Sequence, residues 1–258
     1  MKHRLVAAVA MAALAVAGVA VSACGTNTPT PSGTSTAASV APEVALVNAI
    51  TALKGQGFNL KVNLGGISGT GSIDAKNNAG TVEVKGTESG VTADIAFTQI
   101  GSDLWAKVDL GSFSGQLGVD PTKWLKLDAS KLTSDGSRPF DLSGSSDAFD
   151  LAGLVKSVSN VKRTDATHLS GTVDLTAATG LSAPGSDTLD KAGAAAKAAP
   201  FTATLDSQGR LTELSVNGTG ELAADFQFTD FGSPDPVQAP PASDVVPAPD
   251  AVYQIFNG

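Results

Sequence analysis

Side chains able to do covalent or acid–base chemistry are scarce in this sequence of 258 residues, which holds one cysteine, Cys24, and two histidines, His3 and His168. A serine hydrolase needs a nucleophile, a base and an orienting acid within hydrogen-bond reach. Past position 24 any imidazole mechanism must use His168, in Asp165-Ala-Thr-His168-Leu, where it reads as an exposed residue at a strand start. No G-x-S-x-G elbow occurs, and Ser159-Asn-Val-Lys162 matches S-x-x-K without the companion motifs of penicillin-binding enzymes. Gly218-Thr-Gly220-Glu-Leu-Ala223 fits a loosened dinucleotide fingerprint. An alternating strand follows those glycines, however, where a bound phosphate requires a helix N-terminus. The acids are scattered, with no D-x-[DN]-x-[DN]-G loop and no H-E-x-x-H, so Asp225, Asp230 and Asp235 read as solvent-facing charges. One cysteine also excludes a disulfide framework, an iron–sulfur site and a cysteine-rich zinc site. The sequence therefore predicts a protein that is not an enzyme, with no catalytic residues, no metal site and no cofactor.

Cys24 has a different chemistry. Lys2, His3 and Arg4 precede an uncharged run of 17 residues, Leu5–Val21, which closes in Val21-Ser22-Ala23-Cys24. A basic start, an apolar stretch and small residues before a cut describe an export signal, and the run is at the lower limit for spanning a bilayer. A cysteine directly after the two small residues resembles a bacterial lipobox, in which the signal is cut before a lipidated cysteine. Residues 1–23 are then a lipoprotein signal peptide, and Cys24 anchors the mature chain to the outer, extracytoplasmic face of the cell membrane. A diacylglycerol thioether plus an amide-linked chain satisfies the two-signal requirement for stable anchoring. Removing 1–23 takes Lys2 and Arg4 away and leaves 15 basic and 25 acidic residues, a charge of −10. That balance excludes a general nucleic-acid binder, whose affinity comes from neutralising phosphates.

Three further segments follow. Residues 24–42 form a linker without charge or large apolar content, unable to offset its own ordering entropy. Residues 43–231 form the folded domain. Residues 232–258 are a tail in which Gly232–Pro249 holds six of the chain's 13 prolines, too many for a central strand or a helix. It is expected to wrap the surface in extended form, with Val252, Tyr253, Ile255 and Phe256 docking its end onto the domain.

Within the domain, Leu46, Ala49, Ile50 and Leu53 have the spacing of a helix over Pro42–Leu53. The period then changes to two. Strands are expected at Phe58–Leu64, Ile67–Asp74, Thr81–Lys85, Val91–Thr98, Leu104–Leu110 and Lys123–Asp128, separated by Gly, Asn and Ser turns. A second helix is expected over Asp147–Val158, and strands resume at Asn160–Thr164 and His168–Leu175. An alanine-rich third helix covers Thr188–Ala199 and is stopped by Pro200. Strands at Phe201–Asp206, Leu211–Asn217 and Glu221–Phe231 close the domain.

Short alternating strands joined by short turns give an antiparallel meander with one wet and one apolar face. The expected fold class is therefore α+β: a curved antiparallel sheet of about ten strands, a half-barrel, with about three helices on its concave face. Helices of about 12 residues are roughly 18 Å long, short of what so broad a face requires, which leaves room for an apolar cavity. Leu60, Val62, Leu64, Ile95, Phe97, Leu104, Val108, Val173, Phe226 and Phe228 are the predicted wall. The stripe Leu151, Leu154, Val155 and Val158 is the predicted lid helix. Trp105 and Trp124 read as packed sheet residues.

Several stretches carry a resemblance. They are the lipobox with its uncharged linker; Gly101-Ser-Asp-Leu-Trp105-Ala-Lys and Trp124-Leu-Lys-Leu-Asp-Ala; Asp150-Leu-Ala-Gly-Leu-Val-Lys-Ser-Val-Ser-Asn-Val-Lys with Thr167-His-Leu-Ser-Gly-Thr-Val-Asp-Leu; and Phe228-Thr-Asp-Phe-Gly-Ser-Pro with Val237-Gln-Ala-Pro. Together they resemble actinobacterial envelope lipoproteins of the LppX/LprA/LprF/LprG type. The resemblance implies a LolA/LolB-like half-barrel whose concave face and helices enclose a hydrophobic pocket. It also implies binding of an acylated lipid or lipoglycan, its carriage across the envelope, and an envelope transporter as exchange partner. A non-carrier surface lipoprotein with a solid core, working through protein–protein contacts, is the alternative function.

Overall fold

The computed structural model describes residues 40–88, 91–137, 142, 153, 156–177, 186–218 and 220–257. The first element is α1 (Pro42–Leu53), which starts on a proline whose missing N–H costs a first turn nothing. It buries Leu46, Ala49, Ile50 and Leu53. Six strands follow: β1 (Phe58–Leu64), β2 (Ile67–Asp74), β3 (Ala79–Glu88), β4 (Val91–Ile100), β5 (Asp103–Asp109) and β6 (Trp124–Leu127). After the single turn α2 (Ser134–Ser137) come β7 (Val158–Arg163) and β8 (His168–Val173), then α3 (Ser186–Ala192) and α4 (Ala194–Lys197). The chain ends in β9 (Ala199–Leu205), β10 (Leu211–Val216), β11 (Ala224–Thr229), β12 (Val245–Pro247) and α5 (Asp250–Asn257).

The described strands form one open sheet of 12, in the order β12-β6-β5-β4-β3-β2-β1-β11-β10-β9-β8-β7. Two antiparallel meanders, β1 to β6 and β7 to β11, join where β1 pairs with β11, setting Leu60 opposite Phe228 and Val62 opposite Phe226. Only β12 runs parallel to its neighbour, β6. The register puts successive apolar residues on one face. One row runs Phe226–Val62–Gly69–Val84–Ile95–Val108, and the next runs Phe228–Leu60–Gly71–Val82–Phe97–Ala106. Flat, twelve strands at about 4.8 Å spacing extend over roughly 50 Å, yet the apolar residues of this face form one continuous core reaching from Val246 to Val161. The sheet is open and curved, with this face inside.

Glycines let it curve. A Cβ on Gly71 would lie 2.7 Å from the Thr81 carbonyl oxygen, and one on Gly69 would lie 2.8 Å from Val62 Cγ1. Bare backbone at these two points of β2 lets its neighbours close in on the apolar side.

The opposite face is polar, and the tail crosses it. The row Thr229–Asn59–Ser72–Thr81–Thr98–Trp105–Lys126 spans seven strands from β11 to β6. Asn59 Nδ2 donates to the carboxylates of Asp230 and Asp235, both at 3.0 Å, and Asn59 Oδ1 accepts from the Asp235 N–H at 3.0 Å. The Ser72 hydroxyl donates to the Asp235 carbonyl at 2.6 Å. Further on, the Lys123 ammonium donates to the Ser243 carbonyl at 3.1 Å and to Asp244 at 3.2 Å, before β12 pairs with β6. From β2 to β6 is four strand spacings, roughly 19 Å, within reach of the residues between Asp235 and Ser243 at about 3.3 Å each. The strap's bond to Ser72 accounts for the burial of that residue on a face otherwise given to solvent. Asp230 and Asp235 are exposed, as expected of solvent-facing charges, and they also clamp the strap to Asn59.

Four connections next to strands share a device. Asp120, Asp128, Asp165 and Asp174 each accept both the backbone N–H and the hydroxyl of the residue two positions on: Thr122, Ser130, Thr167 and Thr176. The hydroxyl first, and then the N–H, hold the carboxyls of Asp120, Asp128 and Asp174 below their ordinary value. For Asp165 the Thr167 N–H leads, followed by the His168 ring. A carboxyl depressed in the folded state stabilises fully above its unfolded pKa and loses that contribution as pH falls toward the folded value. The melting temperature is therefore expected to be level between about pH 5 and 8 and to drop below about pH 4, as followed by circular dichroism. An unchanged midpoint at low pH would contradict this.

The apolar concave face as candidate functional site

All ten predicted wall residues lie on the concave face. Leu60, Val62, Phe97, Leu104, Val108, Val173, Phe226 and Phe228 are buried, while Leu64 and Ile95 are half-buried. The register brings nine of them together across β11, β1, β4 and β5. Val173 lies on β8, several strands away, opposite Ala199. Of the predicted lid, Leu151, Leu154 and Val155 fall outside the described residues. Val158 corrects the prediction: it is the first residue of β7, paired with Val173, not the end of a helix. Its β-branched side chain fits a half-buried pleated surface better than a helix. The expected third helix is also divided, into α3 and α4, at Gly193 with φ +53°.

Residues not predicted as wall complete the face. Val82 and Val84 on β3, Ala106 on β5 and Leu214 on β10 continue its rows, and their alternation was already readable in the sequence. Gly69 and Gly71 supply floor without side chains. Gln99, in the next row opposite Leu104, is bonded at both ends of its amide: Oε1 accepts the Leu142 N–H at 2.7 Å and Nε2 donates to the Gly101 carbonyl at 3.2 Å. Every position of the two central rows is aliphatic, phenylalanine, alanine or glycine. The chemistry this surface offers is exclusion of water.

Two described helices cover it at its flanks. α1 packs on β7 and β10. α5 closes the other side, with Val252 and Tyr253 buried and the Phe256 ring edge-on to Phe97 at 6.0 Å. Tyr253 Oη accepts the Asp128 N–H at 2.8 Å, Lys131 pairs with Asp250 at 2.9 Å, and Asn257 bonds the Thr133 N–H and the Lys131 carbonyl. At one end of the strands the face is incompletely covered: Leu64, Val84 and Ile95 are half-buried and Ile67 is 38% exposed.

The remaining candidates lie elsewhere. His168 Nδ1 is 2.8 Å from both Asp165 oxygens, and both side chains are more than half exposed in a hairpin turn. Their partners Thr167 and Thr164 serve the turn. A groove of about 630 Å³ opens at the far end of the strands, lined by Gly57, Lys76, Arg210, Phe231 and Pro234 among others. Its Arg210 is already held by Asp206 at 2.6 Å and stacked on Phe231 at 4.5 Å. Trp105 sits on the convex face, with the Lys126 ammonium 4.0 Å from its ring centre.

By class, then, the protein is an α+β half-barrel, an open curved sheet of 12 described strands with one continuous apolar face. No protein-family profile matches the chain, and no curated protein is similar to it. Among solved structures, the crystal structure of MucB aligns over 80% of this chain and 62% of that one, at 15% identity and a TM-score of 0.27. The chain thus spans less than two thirds of that neighbour's length.

Proposed function

We propose that the protein is a lipoprotein of the cell envelope that binds an acylated lipid or lipoglycan on its concave face and carries it across the envelope, without a catalytic step. One observation carries this reading: the two central rows of the face hold no charged side chain and remain half-open at one end. Burying about ten methylenes at roughly 0.8 kcal/mol each is worth about 8 kcal/mol, which corresponds to micromolar affinity with no polar motif required. The likeness to the LppX/LprG type at the lipobox and at the two tryptophan segments supports the same reading.

Cys24 supplies the anchor in this reading. Cys24→Ser is expected to abolish incorporation of labelled palmitate and to move the protein from the membrane to the soluble fraction. Retention in the membrane would argue against the lipobox. Carriage is tested by transfer of a fluorescent acyl lipid between donor and acceptor vesicles. The protein should raise the rate in proportion to its concentration, and a rate equal to that of vesicles alone would overturn the carrier role.

A further inference from the structure

α1 is apolar on two sides. Leu46, Ala49, Ile50 and Leu53 face the core, and from Val44 to Leu53 no side chain is ionisable. Its outward positions are Val44, Val47, Asn48 and Thr51, and Val40 precedes its cap. Val40, Val44 and Val47 stand 52%, 48% and 43% exposed, three of the five large apolar residues in that state among the described residues. Single exposed apolar residues are ordinary. A helix that is apolar all round, however, is normally covered all round, and these three valines fall within eight residues of sequence.

The element beside this face is basic. α1 packs on β7 and β10, and β7 is an edge of the sheet. The run Lys156–Thr164, which contains β7, carries Lys156, Lys162 and Arg163 and no acid. Arg163 is opposite Leu169, and Leu169 opposite Ala203, which puts Arg163 on the concave side that α1 covers. Lys156 and Lys162 are exposed. With Glu43 and Lys54 at the two ends of α1, helix and edge strand together hold four basic residues and one acid, in a chain of 17 basic and 25 acidic residues. The bordering acids, Asp165 and Asp174, lie in the turns at either end of β8, where each accepts an N–H and a hydroxyl from Thr167 or Thr176. Glu213 of β10 is opposite Gln227, on the convex side.

We propose that the outer face of α1, with the basic edge beside it, is the surface by which the protein lies on an anionic lipid bilayer. Val40, Val44 and Val47 enter the headgroup layer, and Lys156, Lys162 and Arg163 meet the lipid phosphates. An apolar helix face bordered by basic side chains is the pattern of an interfacial helix, and basic residues near an anionic leaflet are drawn to it. Chain length names the bilayer as the occupant. Fifteen residues, 25–39, separate Val40 from Cys24, and a chain of that length rich in glycine, serine and threonine spans about 20 Å. The stripe begins where this tether ends, so an anchor at Cys24 holds it beside the surface at high local concentration. The inference deepens the proposed function and rests on its anchor, not on its cargo.

The test uses the lipidated protein extracted from its envelope and reconstituted into phosphatidylglycerol–phosphatidylcholine vesicles that carry a headgroup-level nitroxide quencher. With Cys24 acylated, a single added cysteine takes the dye: Val47→Cys on the stripe, or Thr70→Cys on the convex face of β2. The dye at 47 is expected to lose about half or more of its emission, as a group seated roughly 5–10 Å deep would, and the dye at 70 to lose little. Lys156→Glu combined with Lys162→Glu is expected to lower the quenching at 47 at least about twofold. Melting curves of each labelled chain confirm folding. Equal quenching at 47 and 70, none at 47, or no response to the charge reversal would overturn the proposal. Self-quenching at 47 without nitroxide, relieved by dilution with unlabelled protein, would also overturn it by showing a second copy on the stripe. Intact mass reports acylation separately, so protein without acyl groups on Cys24 sinks the anchor alone. Docking is then read by adding the Val47→Cys and Thr70→Cys chains, each with Cys24→Ala, to the same vesicles.

Discussion

A chain ending at Phe231 is expected to melt about 10–20 °C lower than the full chain, or not to fold at all. The sequence predicts that this proline-rich tail wraps the surface and docks its end on the domain, and the structure gives it three attachments. Asn59 and Ser72 clamp its start, β12 extends the sheet beyond β6, and α5 buries Val252 and Tyr253 and sets Phe256 on Phe97. Fully burying a large apolar side chain stabilises by about 1.5–3 kcal/mol, so losing three of them costs roughly 5 kcal/mol or more. A typical domain's entire margin is about 5–15 kcal/mol, and for one of this size each kcal/mol corresponds to about 2–4 °C. Thermal denaturation of the truncated and full chains measures the difference directly. Equal midpoints would show that the strap and α5 only decorate the sheet. Tyr253→Phe separates one component: it removes the acceptor of the Asp128 N–H and should cost about 1 kcal/mol.

The second large effect concerns cargo. Val84→Asp is expected to reduce co-purified lipid about tenfold or more while lowering the melting temperature by only a few degrees. Val84 is half-buried, at the incompletely covered end of the row that joins Val62 through Gly69 to Ile95 and Val108. In the empty protein a carboxylate there stays close to water. Beneath a bound acyl chain it would be desolvated without a partner, at a cost of several kcal/mol, and each 1.4 kcal/mol is a factor of ten in affinity. Thr70→Asp is the control: the neighbouring strand β2, the opposite face, exposed, and paired with Lys61 across the sheet. It should leave lipid content unchanged. Equal lipid in the Val84→Asp and unsubstituted proteins would mean that the concave face does not hold the acyl chain.

Much of this architecture was legible from periodicity. α1, β1 and β2 begin and end at the residues that the spacing of Leu46, Ile50 and Leu53 and the alternation of Phe58 to Leu64 predict. The wall residues share a face because a strand repeats every two residues, which needs no tertiary information. What stayed hidden depends on partners distant in sequence. The edge strand Val245–Pro247 exists only because β6 offers a free edge more than a hundred residues earlier, and it tolerates Pro247 only because an edge strand needs no complete ladder. The helix Asp250–Asn257 is too short to form alone and is held by Tyr253 and Asn257 against residues near 130. Val158 passed for the end of a helix because Leu151, Leu154, Val155 and Val158 have helical spacing, while its pairing with Val173 overrides that pattern. Gly69 and Gly71 read as weak points of a strand, and only the approach of Val62 and Thr81 shows them to be where the sheet bends.

The measurement that tests the carrier account most directly is native mass spectrometry, with lipid analysis, of the full chain purified from its own envelope. The account predicts one acylated lipid or lipoglycan per protein, beyond the acyl groups on Cys24, and its loss from the Val84→Asp variant prepared in parallel. Protein of full activity in folding that carries no lipid at all would contradict it, and would leave a solid-cored surface lipoprotein that works through protein contacts.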